Sequence, residues 1–161
     1  MRVHLSLGSN LGDRRTNLSV ALTQLDRLER VRVLTKSELY ETEPIGIVDQ
    51  PAFLNMAAEI ETDLEPLELL DAVKQLEAQL GRVPGEKWGP RLIDIDIILW
   101  GERVESWDRL VLPHAEFRNR AFVLVPLREI APDAVDPVTG MTVAELAESP
   151  AAHGKVARVV Y

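Results

Sequence analysis

Leu92-Ile93-Asp94-Ile95-Asp96-Ile97-Ile98-Leu99-Trp100 is a strongly apolar run interrupted by two carboxylates. Its length and its isoleucines mark it as a strand. Residues two apart on a strand point the same way, roughly 6.6 Å apart along it. Asp94 and Asp96 therefore share one face, and Ile93, Ile95 and Ile97 share the other. Two carboxylates side by side in an apolar strand repel and desolvate each other unless a cation compensates them. Magnesium is the natural candidate, since it prefers carboxylate oxygens and leaves positions open for phosphates. The plainer alternative is that one aspartate pairs with an arginine and the other faces water.

Outward from this strand, the chain alternates patterns of period 2 and 3.6. Val3–Leu7 alternates and ends at Gly8, a strand. The turn Ser9–Asp13 leads into a helix with Leu18, Leu22, Leu25 and Leu28 on one side. Val31–Thr42 reads as a strand, Glu43–Pro51 as a loop and Phe53–Thr62 as a strand. A second helix opens at Glu65-Pro66, carries Leu67, Leu70, Val73, Leu76 and Leu80, and stops at Gly81. The breaker-rich stretch from Arg82 to Arg91 is a loop. Helices are expected at Phe122–Ile130 and Val143–Glu148. The order through Trp100 is βαββαβ, the split pattern of ferredoxin-like folds: an α+β domain with an antiparallel sheet and flanking helices. A length of 161 residues without an internal repeat or linker predicts a single domain over 1–161.

Composition narrows the chemistry. The absence of cysteine removes disulfides, thiolate metal sites and a cysteine nucleophile, leaving carboxylates or His4, His114 and His153 for any metal. The net charge of −8 argues against nucleic acid as a partner. Residues 81–120 balance their acids with Arg82, Lys87, Arg91, Arg103, Arg109, Arg118 and Arg120, so the negative charge lies elsewhere. Arginines gathered in an acidic protein suit a small polyanion, against the alternative of a solvated surface. A polar amino terminus and the lack of a long apolar run predict a soluble, cytoplasmic protein without a membrane partner.

The loop before the aspartates ends in Trp88-Gly89-Pro90-Arg91. Arg91 lies three residues before Asp94, and Arg82 opens the loop. Both are candidates for bidentate phosphate contacts, with Trp88 as a water-excluding seal. Downstream, His114 and Arg120 are further candidate phosphate donors, beside Phe117 and Phe122. There is no Gly-x-x-x-x-Gly-Lys-Ser/Thr loop and no Gly-x-Gly-x-x-Gly, and Gly8-Ser9-Asn10-Leu11-Gly12 reads as a turn bordering the site.

Taken jointly, several motifs resemble a known family. They are Gly8-Ser9-Asn10-Leu11-Gly12, Thr42-x-Pro44-x-Gly46, Asp49-Gln50-Pro51-x-Phe53-x-Asn55, Gly81-Arg82, Trp88-Gly89-Pro90-Arg91-x-x-Asp94-x-Asp96, Pro113-His114 and Asn119-Arg120-x-Phe122. In order and spacing they are similar to the 6-hydroxymethyl-7,8-dihydropterin pyrophosphokinases of folate biosynthesis, from the first strand to about Pro132. The resemblance implies a monomer that transfers pyrophosphate from ATP, its co-substrate, to the pterin. It implies two magnesium ions on Asp94 and Asp96, and Arg82, Arg91 and Asp96 as catalytic groups. His114 and Arg120 would hold phosphates, and Glu77, Ile97 and Arg109 the adenosine. Phe53 and Phe122 would sandwich the pterin, with Asn55, Thr42 and Ile45 reading its edge and Trp88 closing over both substrates. Pro84, Ala115, Val111 and Glu43 depart from the family pattern and bear on nucleotide affinity, and Asp133–Tyr161 carries no family motif. Two other readings of the same residues are a metal-dependent nucleotidyl transferase, which would release pyrophosphate, and a non-catalytic small-ligand module.

Overall fold

The computed structural model describes residues 1–42, 52–81 and 92–159. Within them a six-stranded antiparallel sheet is packed by helices on both faces. Its centre is β1 (Arg2–Ser9), flanked by β4 (Phe53–Thr62) on one side and β5 (Asp94–Trp100) on the other. The far side of β4 is taken by β2 (Val31–Lys36) and then β3 (Tyr40–Thr42), and β3 pairs in turn with β8 (Val156–Arg158).

The stretch expected as one strand over Val31–Thr42 is thus two strands. Ser37 is the cause. Its N–H donates to the Ala57 carbonyl, while its Oγ accepts the Ala57 N–H at 2.9 Å. A side-chain oxygen here does what a backbone carbonyl does elsewhere in the ladder, so the chain steps out of register before re-entering as β3. β8 was not expected from the sequence, and neither was the short hairpin of β6 (Glu105–Ser106) and β7 (Val111–Leu112).

The first face of the sheet is covered by α1 (Arg14–Arg27) and α2 (Pro66–Gln79). Asp13 caps α1 by accepting the Thr16 N–H, and Glu65 and Glu68 cap α2 reciprocally ahead of Pro66. Leu18, Ala21 and Leu25 from α1 and Leu69, Val73 and Leu76 from α2 meet Val3, Leu5, Leu7, Ile93, Ile95 and Ile97. Each leucine, valine or isoleucine among them contributes about 1.5–3 kcal/mol on burial. After α2 the chain turns at Gly81, whose φ of 93° leaves space beside Leu92 that a Cβ would lose.

The second face is covered at one end by α3 (Ala121–Ile130) and α4 (Val143–Glu148), both within a residue of the sequence expectation. The apolar cluster beneath them takes in Ala57, Ile98, Leu99, Phe117, Leu124 and Leu127. It stops short of Gly8, Asn55, Asp94 and Asp96. The sheet therefore offers a polar half-face where its partner helices end, and the candidate site is built on it.

Candidate active site

Asp94 and Asp96 stand opposite Gly8 and Ser6 of β1 and share the half-face, as strand alternation requires. Burial, and next the neighbouring Asp94 carboxylate, push Asp96 up to about 7, with Glu77 adding to the rise and Lys74 and Arg120 opposing it. Burial is the larger cause of that rise, and a cation bound beside the carboxylate would oppose it. Among the described residues, no three histidine, aspartate or glutamate side chains are grouped as a metal cage.

The outer edge of β5 is braced by α2. Glu77, 1% exposed, accepts the Ile95 N–H through Oε2 at 2.7 Å, and Lys74 Nζ lies 3.1 Å from its Oε1. Alternation turns the backbone groups of Ile97 to that same edge, while its side chain is buried in the core against the helices. Arg109 is paired with Asp71 on the exposed side of α2.

Across Gly8 from Asp94 stands Asn55. A Cβ on Gly8 would lie 2.7 Å from Asn55 Oδ1 and 3.4 Å from Phe53 Cδ1, so the glycine is what lets this amide lie flat across the strand. Asn55 Nδ2 donates to Thr42 Oγ1 at 2.7 Å, and both residues are buried. Oδ1 thus faces Gly8 with its acceptor capacity directed toward the half-face. Phe53 is half-buried beside it. Arg14 ties the flanks of this corner, pairing with Glu41 and donating to the Ala52 carbonyl, each at 2.9 Å.

On the α3 side, His114 donates its N–H to the Ile98 carbonyl, and its Nδ1 accepts the Glu116 N–H at 3.1 Å. Burial, reinforced by the Arg120 charge, lowers its pKa to about 4. The ring is therefore neutral near pH 7 with its proton on Nε2, the tautomer that donates. Arg120 lies over the Phe122 ring, 5.6 Å from its centroid, and its charge reaches both Asp96 and His114. The structure thus brings Asp94, Asp96, His114, Arg120 and Phe122 together, and sets Thr42, Phe53 and Asn55 across Gly8. Ile45, Arg82, Trp88 and Arg91, expected at the site from the sequence, lie outside the described residues.

Residues 4–132 match the family 7,8-dihydro-6-hydroxymethylpterin-pyrophosphokinase. The chain is similar to the 2-amino-4-hydroxy-6-hydroxymethyldihydropteridine pyrophosphokinase of Methylorubrum extorquens, at 49% identity covering 89% of this chain and 90% of that one. It is similar to the Pseudomonas aeruginosa protein of the same name at 46% identity, covering 82% of each. The chain belongs to this pyrophosphokinase family. A crystal structure of Plasmodium falciparum HPPK-DHPS A437G with STZ-DHP superposes with a TM-score of 0.71 at 15% identity, covering 91% of this chain and 44% of that one. At that identity the likeness speaks for the fold alone, and the chain spans less than half of the Plasmodium one.

Two residues of this candidate site have parts that the sequence pattern does not reveal. Gly8, expected where the first strand ends and a turn bordering the site begins, sits inside β1, and what the sequence does not show is the room it makes for Asn55. Lys74 belongs to no motif, and it is the described lysine whose charge acts on Asp96. The signal for Lys74 was its spacing of three from Glu77, which puts both on one side of α2.

Proposed function

We propose that the chain transfers the terminal diphosphate of ATP to the hydroxymethyl group of 6-hydroxymethyl-7,8-dihydropterin, releasing AMP, in folate biosynthesis. The observation that carries this reading is the half-face itself. It has two carboxylates side by side at one end, one of them buried, and an oriented amide beside an aromatic ring at the other. Membership of the family and the names of the relatives support the same reading.

In this reading the hydroxymethyl oxygen attacks the β-phosphorus, the bond from that phosphorus to the oxygen bridging the α-phosphorus breaks, and AMP leaves with that oxygen. Catalysis is positioning and charge neutralisation rather than covalent chemistry. The pterin lies between Phe53 and Phe122, with Asn55, Thr42 and the backbone near Ile45 at its polar edge. His114, through its Nε2–H, and Arg120 take phosphate oxygens. Glu77, Ile97 and Arg109 line the adenosine side. Arg82, Trp88 and Arg91 keep the roles expected of them from sequence. Asp94 and Asp96 would hold two magnesium ions, a fit supported by the rise in Asp96, which a bound cation would oppose. Bound there, magnesium would neutralise charge on the transferring phosphates. The hydroxyl proton passes to an oxygen of the pair, with Asp96 the candidate.

The strand order β5-β1-β4-β2 with crossovers through α1 and α2 supports a ferredoxin-like core in a single domain. No described helix is long and apolar enough to cross a membrane, and the net charge of −8 is unsuited to nucleic acid. Following what the family resemblance implies, we propose a cytoplasmic monomer. The test is incubation with MgATP, with and without the pterin, followed by nucleotide analysis. AMP formed only with the pterin is expected. Release of pyrophosphate would mean nucleotidyl transfer instead, and binding without turnover would mean a ligand-binding module.

A further inference from the structure

The match to the family ends at residue 132, yet the last described segment of the chain returns to the site. Arg120 is the single residue between a 3-10 turn, Phe117–Asn119, and the first residue of α3. It has φ −116° and ψ 100°, and its side chain makes no capping bond to the helix. One residue of the C-terminal segment holds both of its peptide groups. The His153 N–H donates to the Asn119 carbonyl at 3.1 Å, and the His153 carbonyl accepts the Ala121 N–H at 3.0 Å. The first bond joins the Arg120 N–H, which donates to the Phe117 carbonyl at 3.2 Å, in holding the peptide plane before Arg120, and the second joins the Val123 and Leu124 N–H groups, which donate to the Arg120 carbonyl at 3.1 Å, in holding the plane after it. The angle between those planes is set by φ and ψ of Arg120, so clamping both also fixes the direction of its Cα–Cβ bond.

His153 is itself anchored on both sides. Upstream, the Ala152 N–H donates to the Ser149 carbonyl at the end of α4, which packs in the second core. Downstream, β8 pairs with β3, setting Val156 opposite Thr42, and the Val159 N–H donates to the Leu39 carbonyl. The segment thus spans from the strand carrying Thr42 to the turn carrying Arg120. The His153 side chain is exposed, so what the segment supplies at this point is backbone.

We infer that His153 is a positioning residue: its backbone aims the Arg120 guanidinium at the phosphates that Asp94, Asp96 and His114 face. This rests on the diphosphate transfer proposed above. A displacement of about 1 Å in a charged group at a reacting centre costs up to roughly 100-fold in rate.

The decisive variant is Ala121→Pro. Ala121 is the first residue of α3, where proline is tolerated, and the extended backbone of Arg120 is what a residue before proline adopts. The substitution removes the N–H that the His153 carbonyl accepts, and its ring must fit where Ala121 is buried. It is made in the wild-type chain and in the Arg120→Ala chain, and AMP formation is followed at varied pterin and varied MgATP. Lys155→Ala, exposed in the same segment, serves as the control. In the wild-type background kcat should fall about 10- to 100-fold with KM for the pterin nearly constant. In the Arg120→Ala background the same substitution should cost almost nothing, because the group it displaces is already gone. A wild-type rate for Ala121→Pro, or an equal loss in both backgrounds, overturns the inference. If Ala121→Pro does not fold, His153→Pro, which removes the donor to Asn119, decides by the same pair of comparisons. Absence of pterin-dependent AMP from the unsubstituted chain would refute the proposed activity instead, so the two failures are distinguishable.

Discussion

Gly8→Ala separates recognition of the pterin from stability of the fold. The residue lies in the middle strand, its φ is not in the left-handed region, and nothing in its backbone forbids a side chain. Removing a glycine from a strand interior by itself gains roughly 0.5–1 kcal/mol. The added Cβ, however, would lie 2.7 Å from Asn55 Oδ1. The amide cannot move freely, because Asn55 is 3% exposed and donates to Thr42 at 2.7 Å. Displacing it weakens that bond, at a cost of about 0.5–1.5 kcal/mol. The two effects nearly cancel, so the melting temperature should shift by no more than about 4 °C. Recognition has no such compensation. An amide turned away from the pterin edge leaves a polar contact unmade, worth about 1–3 kcal/mol, so KM for the pterin should rise roughly 5- to 150-fold. KM for MgATP should stay put. Steady-state AMP formation against each substrate, with thermal unfolding in parallel, measures all three quantities. An unchanged KM for the pterin, or an equal rise for both substrates, would refute the assignment of Asn55.

Asp94→Asn and Asp96→Asn keep shape and remove charge, and each should lower kcat by at least about 10²–10³-fold with the fold intact by circular dichroism. Near-normal turnover in either would remove the metal assignment. Arg118→Ala should destabilise the chain by about 3–5 kcal/mol in urea unfolding, because it strands the fully buried Asp136 carboxylate. Burial pushes Asp136 up, but Arg118, Thr139 and the Val138 N–H outweigh it and hold the carboxyl at about 2. The folded pKa is below the unfolded one, so this stabilisation is complete above about pH 4 and is lost as the pH falls toward 2, roughly 2.5 kcal/mol in all. In Asp136→Asn that part of the acid dependence should vanish, and persistence of the full slope would contradict it. His114 should appear in nitrogen NMR as a neutral ring protonated at Nε2 down to near pH 4, and titration near 6.5 would show that its burial has been misjudged.

The fold was legible because its main elements each carry their own period. α2 announces itself by Pro66 and the leucine spacing, and β5 by its isoleucines. What failed depended on partners distant in sequence. The break at Ser37 needs Ala57 opposite it, and one serine in a β-branched run gives no sign that its hydroxyl will stand in for a carbonyl. β8 has only three residues, Val156–Arg158, and exists as a strand because Tyr40–Thr42 offers it an edge. No local pattern of that length distinguishes it from a tail.

The same division runs through the site. β5 sorts its residues three ways, and sequence reads only two of them. Alternation puts Ile95 and Ile97 in the core and Asp94 and Asp96 on the opposite face, which a period of two makes visible. The third direction is the plane of the sheet, where Glu77 takes the Ile95 N–H and Gly8 and Asn55 lie in successive strands. Side-chain patterns say nothing about that direction, because they encode faces and not neighbours. Asn55, Gly8 and Asp94 are far apart in the chain and become one row only when β4, β1 and β5 are laid side by side. Two ligands of opposite character, a flat heterocycle and a charged phosphate chain, can meet along that row because it crosses the strands. Each strand then supplies a different chemistry at the same height: an amide from β4, empty space from β1 and a carboxylate from β5. A single strand has no such choice, since its neighbours on one face stand roughly 6.6 Å apart and belong to the same local composition.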